Sequence, residues 1–180
     1  MTYTNNDITL LISLFTFVFW QMSKTSQREM REIYKNDQTL PPWVFAVVWS
    51  ILYLCIVLSG YFTMCSVVVI DQYYLARAIF FIVNIFLNKF WSVLFFDMRM
   101  YGWPSILTCI LMIGTGIVYL VLAGLSYGLT TSGTEEHTYF IVAIVLFSLY
   151  VGWCVLALYL NAVFKPSDKF PAQMKSKLIY

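Results

Sequence analysis

Long apolar segments separated by short polar ones dominate the chain. A helix needs roughly 20 mainly apolar residues to cross a bilayer, and five segments are close to that length. They cover residues 4–22, 43–70, 75–96, 104–127 and 139–164. The segments between them carry residues that end helices, such as the Pro41–Pro42 pair and Gly102 followed by Pro104. Runs this continuous differ from the alternating strands of an outer-membrane barrel. The pattern predicts an all-α integral membrane protein, a five-transmembrane-helix bundle forming one domain over residues 1–165, with a polar basic tail at 166–180.

The composition indicates that lipid is the main solvent of the chain. Of the 180 residues, 61% are apolar and 11% are charged, whereas soluble globular domains carry about 25% charged residues. So few charges cannot cover the surface of a water-soluble protein of this size, which excludes a cytosolic enzyme domain and a disordered scaffold. A net charge of +2 provides no basic patch able to release the counterions of a nucleic acid, so nucleic acid is not an expected partner.

The distribution of lysine and arginine predicts the orientation of the bundle. Nine of the eleven cations lie on one side, in the segments after the first, third and fifth predicted spans. The exceptions are Arg77, at the start of the third span on the other side, and Lys89, inside that span. Because cytoplasmic loops are enriched in Lys and Arg, the N-terminus is expected outside and the C-terminus in the cytoplasm or cytosol. The pattern fits a bacterial envelope, a mitochondrial outer membrane or other organelle, or the host membrane of a virus equally well.

The first apolar segment has two interpretations, a secretory signal peptide or a retained helix. A signal peptide begins with basic residues and ends in a small-residue cleavage site. This segment carries Asp7 near its start and has no such site after its apolar run. We therefore interpret it as a retained first transmembrane helix.

Three of the predicted helices carry aromatic and carboxamide side chains at spacings of three and four residues, which place them on one face. The candidate ligand-binding residues are Trp43, Phe45, Trp49 and Tyr53 in the second helix, Asn84, Asn88, Trp91 and Phe95 in the third, and Tyr150, Trp153, Ala157 and Asn161 in the fifth. Lipid-facing surfaces need only aliphatic side chains, so such faces are expected to line an apolar cavity with a few polar points, the usual composition of a small-molecule site. The alternative is structural, because a buried Asn often links helices and a Trp near a helix end often anchors the membrane interface.

Cysteine, histidine and acidic residues form no pattern of a catalytic or metal site. Cys55, Cys65, Cys109 and Cys154 all lie in apolar stretches without a CxxC pair, and we interpret them as buried hydrophobic residues. The single histidine, His137, lies in a polar segment. No Walker loop, GxGxxG motif or paired intramembrane carboxylate is present in the sequence. We therefore expect neither an enzyme nor a metal protein.

The fourth predicted helix is rich in glycine. It carries Gly114, Gly116 and the GxxxG motif Gly124-Leu-Ser-Tyr-Gly128. This motif lets helices approach closely. It predicts tight packing within the bundle or, as the alternative, the contact face of a homodimer.

Three stretches carry motifs of one family. Residues 40–53 read Leu-Pro-Pro-Trp-Val-Phe-Ala-Val-Val-Trp-Ser-Ile-Leu-Tyr, residues 88–99 read Asn-Lys-Phe-Trp-Ser-Val-Leu-Phe-Phe-Asp-Met-Arg, and residues 150–162 contain Tyr-Val-Gly-Trp and later Leu-Asn-Ala. In this order they resemble motifs on the second, third and fifth helices of the TspO/MBR family, the translocator proteins or tryptophan-rich sensory proteins. The segment Arg31-Glu-Ile-Tyr34 is similar to the Arg-Glu-Trp-Tyr run of that family's first loop. The resemblance covers most of residues 31–162.

The chain departs from the family pattern at three prolines, which are replaced here by Val47, Val93 and Leu149. It also has one residue fewer between Pro42 and Trp43. Because proline kinks helices, the replacements predict a pocket shaped differently from that of the family.

The resemblance implies a membrane receptor-like protein that binds tetrapyrroles such as protoporphyrin IX or haem, and in some members sterols, inside a five-helix bundle. It also implies a homodimer and a role in tetrapyrrole handling or stress signalling, with no required cofactor. Histidine ligation of haem iron is not expected, because His137 is on the side opposite most cations, whereas Arg31 or Lys35 in the first loop is suited to pair with propionates.

Two alternative functions stay open. The first is a transporter of porphyrin or lipid, which is less favoured because the chain is short and has no inverted repeat. The second is light-dependent porphyrin breakdown, which the resemblance assigns to tryptophans matching Trp49 and Trp153.

Overall fold

The computed structural model describes residues 13, 16, 42–64, 71–98, 100 and 102–163. Within them the chain forms four long helices: α1 (Pro42–Met64), α2 (Tyr74–Ser92), α3 (Trp103–Tyr127) and α4 (Glu135–Val163). All four are long and apolar enough to cross a membrane. Of the predicted first span, 4–22, only residues 13 and 16 are described, and the tail at 166–180 lies outside the described residues. The all-helical class is confirmed, and the count of five spans stays a prediction.

The helix that carries the last predicted span begins before the apolar run. The span is predicted from about residue 139, whereas α4 begins at Glu135. The reason is a polar first turn: the Thr134 hydroxyl accepts the backbone N–H of His137 at 3.3 Å, the geometry of an N-terminal cap. Two glutamates follow in that turn, where the positive end of the helix dipole stabilises their negative charge. Hydropathy detects the apolar stretch, and the helix extends beyond it.

The helix α2 does not end as a regular α-helix. It continues into a π-helical segment, Val93–Asp97, in which the Val93 carbonyl accepts the N–H of Met98 at 2.8 Å. Such segments are rare and usually mark a local constraint. The family pattern has a proline where this chain has Val93, so the departure from α geometry at this position does not require proline.

The described helices pack in the order α2, α3, α4, α1, and each contacts the next along its length. The backbones of α1 and α2 come close to each other at few positions, and these helices meet mainly through long side chains. Close approach of α3 and α4 depends on Gly116, because a Cβ there would lie 2.8 Å from the Val151 side chain. Gly60 on α1 makes room for a side chain of α2, since a Cβ there would meet the Phe81 ring at 2.5 Å.

The GxxxG motif is not used for packing among the described helices. A Cβ on Gly124 would meet nothing within 4 Å, and one on Gly128 would meet only carbonyl oxygens of its own last turn. The interpretation of this motif as an intrabundle contact is therefore wrong for the described part of the chain. The close-approach glycine of α3 is Gly116, which the motif does not include.

Candidate functional site

A hydrogen-bonded trio joins three helices in the middle of the bundle. The carboxamide of Asn88 on α2 accepts a hydrogen bond from the Tyr53 hydroxyl on α1 at 3.2 Å. Its Nδ2 donates to the Tyr150 hydroxyl on α4, also at 3.2 Å. All three side chains are buried. Asn88 thus uses both ends of its carboxamide and supplies the hydrogen-bond partner that each buried phenol requires.

Three tryptophans from the same helices pack beside this trio. The Trp49 ring of α1 stacks with Trp91 of α2 at a centroid distance of 6.0 Å and an interplanar angle of 27°. It meets Trp153 of α4 edge-on at 6.4 Å and 85°. Tyr53 lies 5.5 Å from Trp49, and Phe95 stacks on Trp91 at 5.2 Å. We call Trp49, Trp91 and Trp153 the indole cluster; Trp49 and Trp91 are buried and Trp153 is partly buried.

Two further predicted residues turn toward α3 instead. The Nδ2 of Asn84 donates to the Met112 carbonyl at 2.6 Å and to the Thr115 hydroxyl at 2.9 Å. The Nδ2 of Asn161 donates to the Ala157 carbonyl of its own helix at 2.9 Å, and it lies 3.4 Å from Cys109 Sγ on α3. These contacts match the alternative in which a buried Asn links helices.

Among the described residues, the Oδ1 atoms of Asn84 and Asn161 have no hydrogen-bond partner. Both side chains are buried, with 0% and 4% of their surface exposed. Flipping Asn84 would oppose its Oδ1 to the Met112 carbonyl, so the contacts fix the orientation of this carboxamide.

Some predicted site residues lie outside the described part of the structure. Trp43 and Phe45 belong to α1, but their side chains are not described, and Arg31 and Lys35 of the first loop lie outside the described residues. Ala157 is buried on α4, one turn from Trp153. The structure thus brings together the tryptophans, the phenols and Asn88. It places Asn84 and Asn161 in contact with α3 instead.

The burial of Arg77 is not predicted from the sequence, because the distribution of charge places it only at the start of the third span, on the side with few cations. The side chain is fully buried, and its Nη1 forms an ion pair with Asp71 Oδ2 at 3.1 Å. Burial raises the pKa of the Asp71 carboxyl, but hydrogen bonds from Ser126, Arg77 and the Tyr73 N–H, together with the charge of Arg77, hold that pKa below its usual value. An acidic residue six positions before an arginine at a helix start is the signal in the sequence for this pair.

Cysteines and metal-binding groups contribute little to the site. Cys55, Cys109 and Cys154 are free and buried. In the part of the chain that the structure describes, no three His, Cys, Asp or Glu residues form a group able to hold a metal ion. His137 lies in the first turn of α4, where its Nδ1 is 2.9 Å from the Thr130 hydroxyl and its ring packs on Tyr127.

Comparison with protein families decides the assignment. The model of the TspO/MBR family matches residues 8–165. The chain belongs to the TspO/MBR family. The match extends through the predicted first span, which the structure describes only at residues 13 and 16. Together with the four apolar helices, it identifies the chain as an integral membrane protein. Neither the comparison with curated proteins nor that with solved structures returned a match.

Proposed function

We propose that this TspO/MBR protein is a membrane receptor that binds a flat, apolar ligand of the tetrapyrrole class, such as protoporphyrin IX or haem, at the indole cluster. The observation that carries the proposal is the convergence of three tryptophans from three helices. The ring centroids of Trp91 and Trp153 both lie within 6.4 Å of that of Trp49. Indole faces stack on extended aromatic rings, and such contacts contribute about 0.5–1.5 kcal/mol each beyond burial. A porphyrin that enters the cluster exchanges indole–indole contacts for indole–porphyrin contacts.

The trio of Asn88, Tyr53 and Tyr150 supplies polar points beside the apolar ring surfaces. A hydroxyl-bearing sterol is a second ligand class that suits this arrangement, because a phenol or a carboxamide can accept its hydroxyl proton. The sequence places Arg31 and Lys35 in the first loop, before the α1 end nearer Trp49, and their charge suits the propionates of a porphyrin.

The chemistry of the site favours binding over catalysis. Indoles, phenols and carboxamides neither ionise near neutral pH nor act as ready nucleophiles, so we propose a non-enzymatic protein that requires no cofactor. His137 and Trp153 are sixteen residues apart on α4, which is about 24 Å at 1.5 Å per residue. This separation supports binding of haem without histidine ligation.

The proposal is tested by titrating the detergent-purified protein with protoporphyrin IX and following tryptophan quenching. The Trp49→Ala, Trp153→Ala double variant should bind about 5- to 150-fold more weakly, because it loses two aromatic contacts of about 0.5–1.5 kcal/mol each. Trp103→Ala is the matched control, since Trp103 is 77% exposed on α3. Unchanged affinity in a folded double variant would overturn the proposal.

A second candidate function is light-dependent breakdown of a bound porphyrin. The edge contact of Trp49 with Trp153 favours it, because a ligand at the cluster would lie against both indoles. Illumination with and without oxygen tests this candidate: a Trp153→Phe variant that binds normally should bleach the porphyrin more slowly. Identical bleaching in the wild-type and Trp153→Phe proteins would exclude a role of Trp153 in the reaction. Transport, the other alternative, would require ligand flux in proteoliposomes above that of empty vesicles.

The proposal includes five spans, an external N-terminus and a homodimer. In the described part of the structure, an added Cβ on Gly114 or Gly124 meets no neighbour within 4 Å, and this free space on α3 supports it as the dimer face. Gly124→Leu should then convert the dimer to a monomer in size-exclusion chromatography with light scattering, whereas Gly60 substitutions should act on stability instead. Cysteine labelling of the two termini in sealed vesicles tests the topology, and labelling of both from one side would contradict it.

A further inference from the structure

Arg77 contacts every described helix of the bundle. It lies in the first turn of α2. Its Nη2 donates to the Thr63 carbonyl of α1 at 3.1 Å, and its Nη1 donates to the Ser126 hydroxyl of α3. The guanidinium carbon lies 5.1 Å from the centroid of the Phe140 ring on α4. Together with the ion pair to Asp71, these contacts tie four helices and the loop before α2 to one side chain.

The contacts neutralise and enclose the charge of Arg77. A charge buried in a membrane protein is costly unless it is paired and hydrogen-bonded. Asp71 provides the countercharge with 8% of its side chain exposed, and its Oδ1 accepts the Tyr73 N–H at 2.7 Å. The Arg77 side chain has no exposed surface. Arg77 therefore lies in the interior of the bundle, and Asp71 pairs with it from the loop before α2.

A second buried layer adjoins Arg77 through Thr63, whose carbonyl accepts from Arg77 and whose hydroxyl contacts Tyr119. The Tyr119 hydroxyl is 2.8 Å from the Thr63 hydroxyl and 2.9 Å from that of Ser59. The Tyr119 ring packs against Phe147 at 4.3 Å and Phe81 at 5.5 Å. All five side chains are fully buried, so hydroxyl and aromatic groups from the four described helices occupy the interior at this level.

This end of the bundle is remote from the indole cluster. Arg77 and Trp91 are fourteen residues apart on α2, and Thr63 and Trp49 are fourteen residues apart on α1, so each pair is separated by about 21 Å along its helix. We propose that Arg77 and its partners Asp71, Thr63, Ser126 and Phe140 form a closure that seals this end of the bundle against water and ligands. The interior then admits molecules from elsewhere but does not let them pass out at this end. The proposal does not depend on which ligand the indole cluster binds.

Thiol accessibility tests the closure. In a Thr63→Cys protein the new thiol lies against the closure, while the Thr63 backbone carbonyl still accepts from Arg77. The protein in mild detergent is treated with a charged, water-soluble methanethiosulfonate, and mass spectrometry gives the rate at each cysteine. Adding Arg77→Ala should raise the rate at position 63 at least tenfold, because water enters the space of the lost side chain. Leu75→Ala, an exposed position on α2, is the matched control and should leave the rate unchanged.

A general loss of fold is recognised by Cys109, which is fully buried near Asn161, away from the closure. If Arg77→Ala also makes Cys109 reactive, the Arg77→Ala, Asp71→Asn protein decides the outcome, because it keeps the space of the lost side chain and leaves no unpaired charge in the interior. Faster labelling at position 63 with Cys109 still protected supports the closure. Equal labelling at position 63 with and without Arg77, in either folded variant, overturns it.

Discussion

Replacing Asn88 with leucine should destabilise the bundle by breaking the connection among α1, α2 and α4. The substitution keeps the approximate volume but removes both hydrogen bonds, to Tyr53 and to Tyr150, each 3.2 Å long. For the Nδ2 donor this length is at the long end of the usual range, and for the Tyr53 O–H donor it lies beyond the usual range of about 2.5–3.0 Å, so both bonds are weak. Interhelical hydrogen bonds in membranes average about 0.6 kcal/mol and reach about 1.7 kcal/mol, so the two together contribute about 1 kcal/mol and no more than about 3 kcal/mol.

The assay is reversible unfolding in mixed micelles as the fraction of denaturing detergent is raised. A double-mutant cycle of Asn88→Leu with Tyr53→Phe should give a coupling free energy of about 0.6 kcal/mol. Tyr159→Phe is the control, because it removes a phenol that is 62% exposed on α4 and should leave the unfolding free energy unchanged. Zero coupling between Asn88 and Tyr53, with both single variants folded, would refute the hydrogen-bonded trio.

Two further predictions concern packing and charge. Gly60→Ala should lower the free energy of unfolding by about 1–3 kcal/mol, because the new Cβ meets the buried Phe81 ring at 2.5 Å. Gly124→Ala, the control, should lower it by less than about 0.5 kcal/mol. Equal effects of the two substitutions would contradict the packing of Phe81 on Gly60. Asp71→Asn should cost about 3 kcal/mol at pH 7, because it leaves Arg77 buried without its partner. Since the folded-state pKa of Asp71 is lowered, its contribution is complete above the unfolded carboxyl pKa of about 3.9 and disappears as the pH falls through the folded value. A stability difference between wild type and Asp71→Asn that grows on acidification would contradict this sign.

The parts of the fold that depend on local pattern could be predicted from the sequence. Hydropathy locates four described helices because every residue of a span adds to the same transfer free energy. Spacings of three and four residues place Trp49 with Tyr53 and Asn88 with Trp91 on common faces, because helical geometry is the same in every sequence. The structure confirms that these faces turn inward, while their role in binding a ligand stays a prediction.

The parts that depend on distant partners could not be predicted. Arg77 is buried because Thr63 and Ser126, from two other helices, supply its acceptors, and a charge count along the chain contains no such information. Asn84 lies one turn from Asn88 on the same helix, yet its carboxamide reaches Met112 on α3. The same residue type therefore serves two contacts that spacing alone does not separate.

Fluorine NMR of the protein labelled with 5-fluorotryptophan tests the central claim most directly. The ring current of a porphyrin shifts only the resonances of nearby nuclei. The tryptophans, six in the sequence, whose resonances shift when protoporphyrin IX is added are therefore those next to its binding site. The account predicts large shifts for Trp49, Trp91 and Trp153, assigned by single Trp→Phe substitutions, and an unmoved resonance for the exposed Trp103. Saturable porphyrin binding that leaves those three resonances in place would contradict it.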